Sequence, residues 1–94
     1  MANEKPAFRF EEDTNIQEVL DYIGSTYDQH YVGGNDLQTV DVWEMMNIAQ
    51  EMCQGTAVKY LARFGKKEGL NRKDLLKCAH YVILLMHFAG KEDS

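Results

Sequence analysis

Apolar residues recur three and four positions apart through most of this 94-residue chain. Nowhere do they alternate with a period of two for long enough to mark a strand. Side chains at i, i+3 and i+4 share one face of a helix, so each such run predicts a helix with a buried side. Thr14, followed three residues later by Gln17, reads as a capping box opening the first one. Ile16, Val19, Leu20, Ile23 and Tyr27 form its stripe, and Gly24 weakens its end. The paired glycines and Asn-Asp within His30–Asp36 read as a loop. A second helical region runs from Asp36 or Asp41 towards Gln54, with Val42, Met45, Met46, Ala49, Met52 and Cys53 inward and Trp43 beside them. Gly55 either breaks this region or admits a close neighbour. Thr56 to Phe64 then carries Ala57, Tyr60, Leu61 and Phe64 on one side, with Gly65 as its stop. Asn71 and Asp74 open a last, wide-faced helix containing Leu75, Leu76, Ala79, Val82, Ile83, Leu85 and Met86, and Gly90 ends it. The expected fold is all-α, a single compact domain of four to five helices. Residues 1–13 form a flexible acidic arm, 14–89 the helical domain and 90–94 a frayed tail.

Charge is unevenly spread. Residues 1–28 hold seven acids against Lys5 and Arg9, a net of −5, while residues 59–77 are +5 within a chain that is −5 overall. Nucleic-acid binding usually needs a basic surface across the whole domain. A local basic island suits a nucleotide or other phosphate-bearing small molecule, or the acidic segment of a second copy. Opposite fields attract and orient partners, so a homo-oligomer is expected. No apolar run approaches the roughly 18 residues of a membrane span, and the first ten residues lack the apolar stretch of a signal peptide. Cys53 and Cys78 fall inside helical patterns and read as reduced, small core hydrophobes.

Lys59, Arg63 and Lys66 or Lys67 lie one and two turns apart and stack along one helical face. Asp74, Lys77 and Tyr81 do the same on the last helix. Tyr60 follows Lys59 directly, and His30-Tyr31 is a polar-aromatic pair in the glycine loop. Together they offer cations for phosphate, aromatic faces for a base and a carboxylate for Mg2+ or a ribose hydroxyl. The plainer reading is that these cations are solvated surface, that Asp74 pairs with Lys59 or Arg63 across a helix contact, and that the tyrosines edge the core. Arg63 is favourable to the dipole at its helix C-terminus in any case, so its loss is expected to cost only about 0.3–1 kcal/mol of stability. Other chemistry is absent. The segment before Gly65-Lys66-Lys67 has Tyr60 where a Walker A loop needs glycine. His80 and His87 share a face but stand roughly 10 Å apart along the axis, too far to share a metal ion.

The segments His30-Tyr31, Val40-Asp41-Val42-Trp43-Glu44, Gly55 to Lys67 and Asp74 to Tyr81 resemble a family of small tailed-phage and prophage proteins. Much of that family is of unknown function, and some members are labelled nucleotide kinase. The domain looks like part of an early coliphage enzyme that phosphorylates deoxynucleoside monophosphates. The resemblance covers residues 29–88, and its most specific block is G-x-A-x-K-Y-x-x-R-x-G-K-K followed by D-L-x-K-x-x-x-Y. It implies a phage origin, an oligomer, the cytoplasm of the infected bacterial host, and a nucleotide-related role for Lys59, Tyr60, Arg63, Lys67, Asp74, Lys77 and Tyr81. The expected function is to bind a nucleotide through the Lys/Arg/Tyr cluster, acting on host nucleotide metabolism or sequestering a nucleotide signal used in host defence. No cofactor is required for that. A deoxynucleoside monophosphate kinase, with Asp74 assisting Mg2+, is one alternative. A non-enzymatic interaction module, whose basic island docks an acidic partner, is the other.

Overall fold

The computed structural model describes residues 7–30, 38–66 and 69–91. Among these the chain is all-α, with α1 (Glu12–His30), α2 (Thr39–Met45), α3 (Ala49–Arg63) and α4 (Arg72–Phe88). The main packing unit is the antiparallel hairpin of α3 and α4; α2 rests on α3 and α1 on α4. Among the described residues no helix is long and apolar enough to cross a membrane.

Most helix ends have a local cause, and the starts of α1 and α2 and the break before α3 differ from the sequence expectation. Helix α1 opens at Glu12, two residues before Thr14 and inside the expected arm. Glu12 Oε1 accepts the Phe10 N–H at 3.0 Å, and Glu12 and Asp13 complement the positive end of the dipole. Gln17 does not look back to Thr14; its amide donates forward to Asp21 at 2.9 Å. The helix also passes through Gly24 without stopping. Helix α2 starts with Gln38 at the N-cap, whose N–H donates to Asp41 Oδ2 at 2.9 Å, so Asp41 contributes from inside the first turn.

Gly55 neither breaks a helix nor meets a close neighbour, and the break in this region lies at Met46–Ile48. Asn47 takes a left-handed φ of 61°, its N–H donates to the Glu44 carbonyl, and the Ile48 N–H reaches the Trp43 carbonyl at 2.9 Å. That is a Schellman stop, with asparagine in the place glycine most often fills. Helix α3 then runs unbroken through Gly55 to Arg63, and Gly65 (φ 84°) turns the chain, as expected. Asn71 caps α4 by accepting the Lys73 N–H at 2.9 Å.

The core is small. Ala49, Cys53 and Phe88 are buried together, packed by Val40, Trp43, Tyr81, Leu84 and Leu85. Neither cysteine forms a disulfide, and Cys53 is fully buried. Several residues expected on inward stripes are exposed instead, among them Ile16, Leu20, Met45, Leu61, Val82 and Met86. Helix α1 turns Val19, Tyr22 and Ile23 inward.

Candidate functional site

Helical phase brings the expected residues together across the α3–α4 hairpin. Tyr60 projects from the inner side of α3 and stacks on Tyr81 of α4, with centroids 6.1 Å apart and planes 17° from parallel. Trp43 of α2 extends this aromatic group, its centroid 6.3 Å from that of Tyr81. Three cations surround the Tyr60 ring. Lys59 Nζ lies 4.8 Å from its centroid, Lys77 Nζ 5.3 Å and Arg63 Cζ 5.3 Å. Each gains from the negative face of the ring, yet together they repel one another.

Asp74 is the nearest counter-charge. Its Oδ1 lies 3.1 Å from Arg63 Nη2, and its side chain is almost wholly buried while Arg63 stays one-third exposed. Arg63 Nε and Asp74 Oδ2 are buried without hydrogen-bond partners, so the pair uses one leg of the fork that guanidinium and carboxylate can form. Among the described residues, neither Lys59 nor Lys77 has a carboxylate within ion-pair distance.

Beside this cluster opens a cavity of about 770 Å3 between α1, α2 and α4. Tyr60, Lys77 and Tyr81 lie on its wall, joined by Tyr22 and Tyr27 from α1, Asp41 and Glu44 from α2, and His80 and His87 from α4. Lys59, Arg63 and Asp74 do not line it; they stand behind Tyr60. Burial raises the Tyr22 and Tyr81 hydroxyls above their ordinary value, and the neighbouring Tyr60 adds to both. They are therefore neutral phenols at neutral pH, able to donate. Burial also lowers His80, whose ring meets the Tyr22 ring edge-on at 6.1 Å, so a neutral imidazole is favoured there. No group of three or more potential ligands for a metal ion occurs among the described residues.

The structure thus gathers Lys59, Tyr60, Arg63, Asp74, Lys77 and Tyr81. Tyr31, Lys67 and the His30 side chain lie outside the described residues. Tyr22, Trp43 and His80 are contributors that sequence reading did not assign to the site. Trp43 and His80 stand inside the segments that carry the family resemblance, a signal that could have pointed to them, whereas Tyr22 carries no local signal.

A family profile described as a protein of unknown function (DUF3310) matches residues 25–83, more than half of the chain. All the gathered site residues fall within that span. No curated protein and no solved structure matches.

Proposed function

The chain belongs to the DUF3310 family, and we propose that it binds a nucleotide, or a closely related phosphate-bearing small molecule, at the wall shared by Tyr60, Lys77 and Tyr81. The observation that carries this reading is the crowding of Lys59, Lys77 and Arg63 round one tyrosine ring, with a carboxylate among the described residues for only one of them, at the edge of an aromatic cavity. An anion at the rim would relieve the repulsion and gain charge-assisted hydrogen bonds. A cavity of about 770 Å3 is within the range that takes a drug-sized ligand, and its tyrosines offer both flat faces and hydroxyl donors. The phosphate sits with Lys77 at the rim, and the base lies against the tyrosines inside.

Binding without turnover is favoured over phosphoryl transfer. A kinase reading needs Asp74 free to assist Mg2+, and Asp74 is buried against Arg63. In keeping with the phage resemblance, such a protein would act in an infected bacterium by holding a nucleotide away from host metabolism or host defence.

The test is a thermal-shift screen over mono-, tri- and cyclic nucleotides and inorganic phosphate, with and without Mg2+, followed by calorimetry on the best ligand. Lys77→Ala should weaken binding roughly 10- to 100-fold, the loss expected of a hydrogen bond to a charged group. If no nucleotide or phosphate stabilises the protein, the reading fails. Steady turnover of ATP with a monophosphate would replace it with the kinase alternative.

A further inference from the structure

The α3–α4 hairpin has two sides. Helices α1 and α2 and the cavity occupy one, and among the described residues no element packs on the other. Along α4, Leu75, Ala79, Val82 and Met86 recur at i, i+4, i+7 and i+11, which is one helical face. Val82 and Met86 are exposed, and Leu75 and Ala79 are half-buried. Arg63 stands opposite Asp74, so Leu61, also exposed, sits level with Leu75 on the adjoining strip of α3, with Gln54 further along the same strip.

Between Leu75 and Met86 this row of α4 carries no charged residue, in a chain that is 27% charged, and Arg72, seven residues before Ala79 at the N-terminal end of the row, is paired with Glu18 of α1. Other exposed apolar residues lack that property. Ile16 and Leu20 stand among Glu12, Asp13 and Asp21, and Met45 follows Glu44. The distinction bears on what can cover the face. A two-fold interface sets the same patch against itself, so any charge on it meets its own sign. The acidic face of α1 would repel its copy, whereas the bare hairpin face would not. The centres of stable interfaces are likewise depleted in charge. With few buried apolar side chains among the described residues, the protein gains most from an association that covers its remaining apolar face.

We infer that a second copy of this chain covers the bare face. The two α3–α4 hairpins pack across a two-fold axis near Ala79 and Val82, as a four-helix core with the two cavities facing outward. This assembly does not depend on the nucleotide reading, because the cavity lies on the opposite side.

Sedimentation velocity on the full chain across the micromolar range tests it, with three variants. Val82→Glu and Met86→Glu should each raise the dimer dissociation constant at least roughly tenfold, since symmetry introduces every charge twice. Leu20→Glu, on the outer face of α1, should leave it unchanged. Circular dichroism checks that each variant keeps its helices. Because Val82→Glu could fail to fold, a second measurement uses Val82→Cys in a Cys78→Ala background. Residues near the axis meet their own copies, so mild oxidation should yield a covalent dimer, and Leu20→Cys in the same background should not. A wild-type monomer throughout the range would overturn the inference. So would a dimer indifferent to both glutamates, or one that cross-links through Leu20→Cys instead.

Discussion

Arg63 illustrates how a contact changes the meaning of a residue. Read from the sequence, it is a cation at a helix C-terminus whose removal costs about 0.3–1 kcal/mol. In the structure it is also the counter-ion of Asp74, which is 1% exposed. Truncating it leaves a buried carboxylate unpaired, and breaking such a pair costs about 3–5 kcal/mol. The loss should fall in the lower part of that range, because Arg63 itself is one-third exposed and partly screened. Arg63→Ala is therefore expected to lower the melting temperature clearly, measured by calorimetry, rather than to leave the fold untouched. The double variant Arg63→Met/Asp74→Leu should recover most of that loss, since removing both partners removes the orphaned charge. If the double variant is no more stable than Arg63→Met alone, Asp74 is not the source of the cost. The pairing was open to sequence reading, since a contact of Asp74 with Lys59 or Arg63 across helices was one of the alternatives. Which of the two cations would win was not, because that depends on where α4 crosses α3.

Helix content was legible at the scale of elements because periodicity is a local property; helix ends were less so. Gly65, Asn71 and Gly90 stand at their expected boundaries, where a left-handed turn or a cap decides the matter within a few residues. Of the two roles open to Gly55, a break or a close approach, neither holds: glycine weakens a helix by only a fraction of a kcal/mol to about 1 kcal/mol, which packing on α4 and α2 overrides, and no neighbour comes near it. Asn47 was missed because asparagine enters the left-handed region less often than glycine, yet it holds the only such turn between α2 and α3. Two substitutions follow from this. Gly55→Ala should stabilise the protein by about 0.5–1 kcal/mol, because a Cβ there meets nothing within 4 Å. Asn47→Val should destabilise it by about 1–2 kcal/mol, the cost of a left-handed conformation for a residue with a branched Cβ, while Asn47→Gly should be tolerated. Urea unfolding curves measure all three, and an Asn47→Val variant as stable as the parent would show that the turn can relax.

On the scale of the whole molecule, the charge asymmetry was visible in the sequence but its use was not. Part of it is satisfied within the chain. Arg72 Nη2 and Nε grip Glu18 at 2.6–2.9 Å, and Nη2 also reaches Asn15 at 2.8 Å. With the Tyr22–His80 edge contact, these are the named polar and aromatic links of α1 to α4, and two of them titrate. The hydrogen bond from Arg72 lowers Glu18 from 4.5, and burial lowers His80 from 6.5. In both cases the unfolded chain binds the proton more tightly than the folded one. Stability is therefore fully present above the unfolded value and falls as pH drops from there towards the folded value. His80 begins this loss below about pH 6.5 and Glu18 adds to it below about pH 4.5. Both groups sit at the same seam, so acid should release α1 before it disturbs the α3–α4 hairpin. Hydrogen exchange, corrected for its intrinsic pH dependence, should show residues 12–27 losing protection as pH falls below about 6.5 while residues 75–88 keep theirs. His80→Gln should abolish that first loss and leave the one below pH 4.5 in place. Equal loss in α1 and α4, or an unchanged profile in His80→Gln, would mean that α1 is not held at this seam by a neutral imidazole.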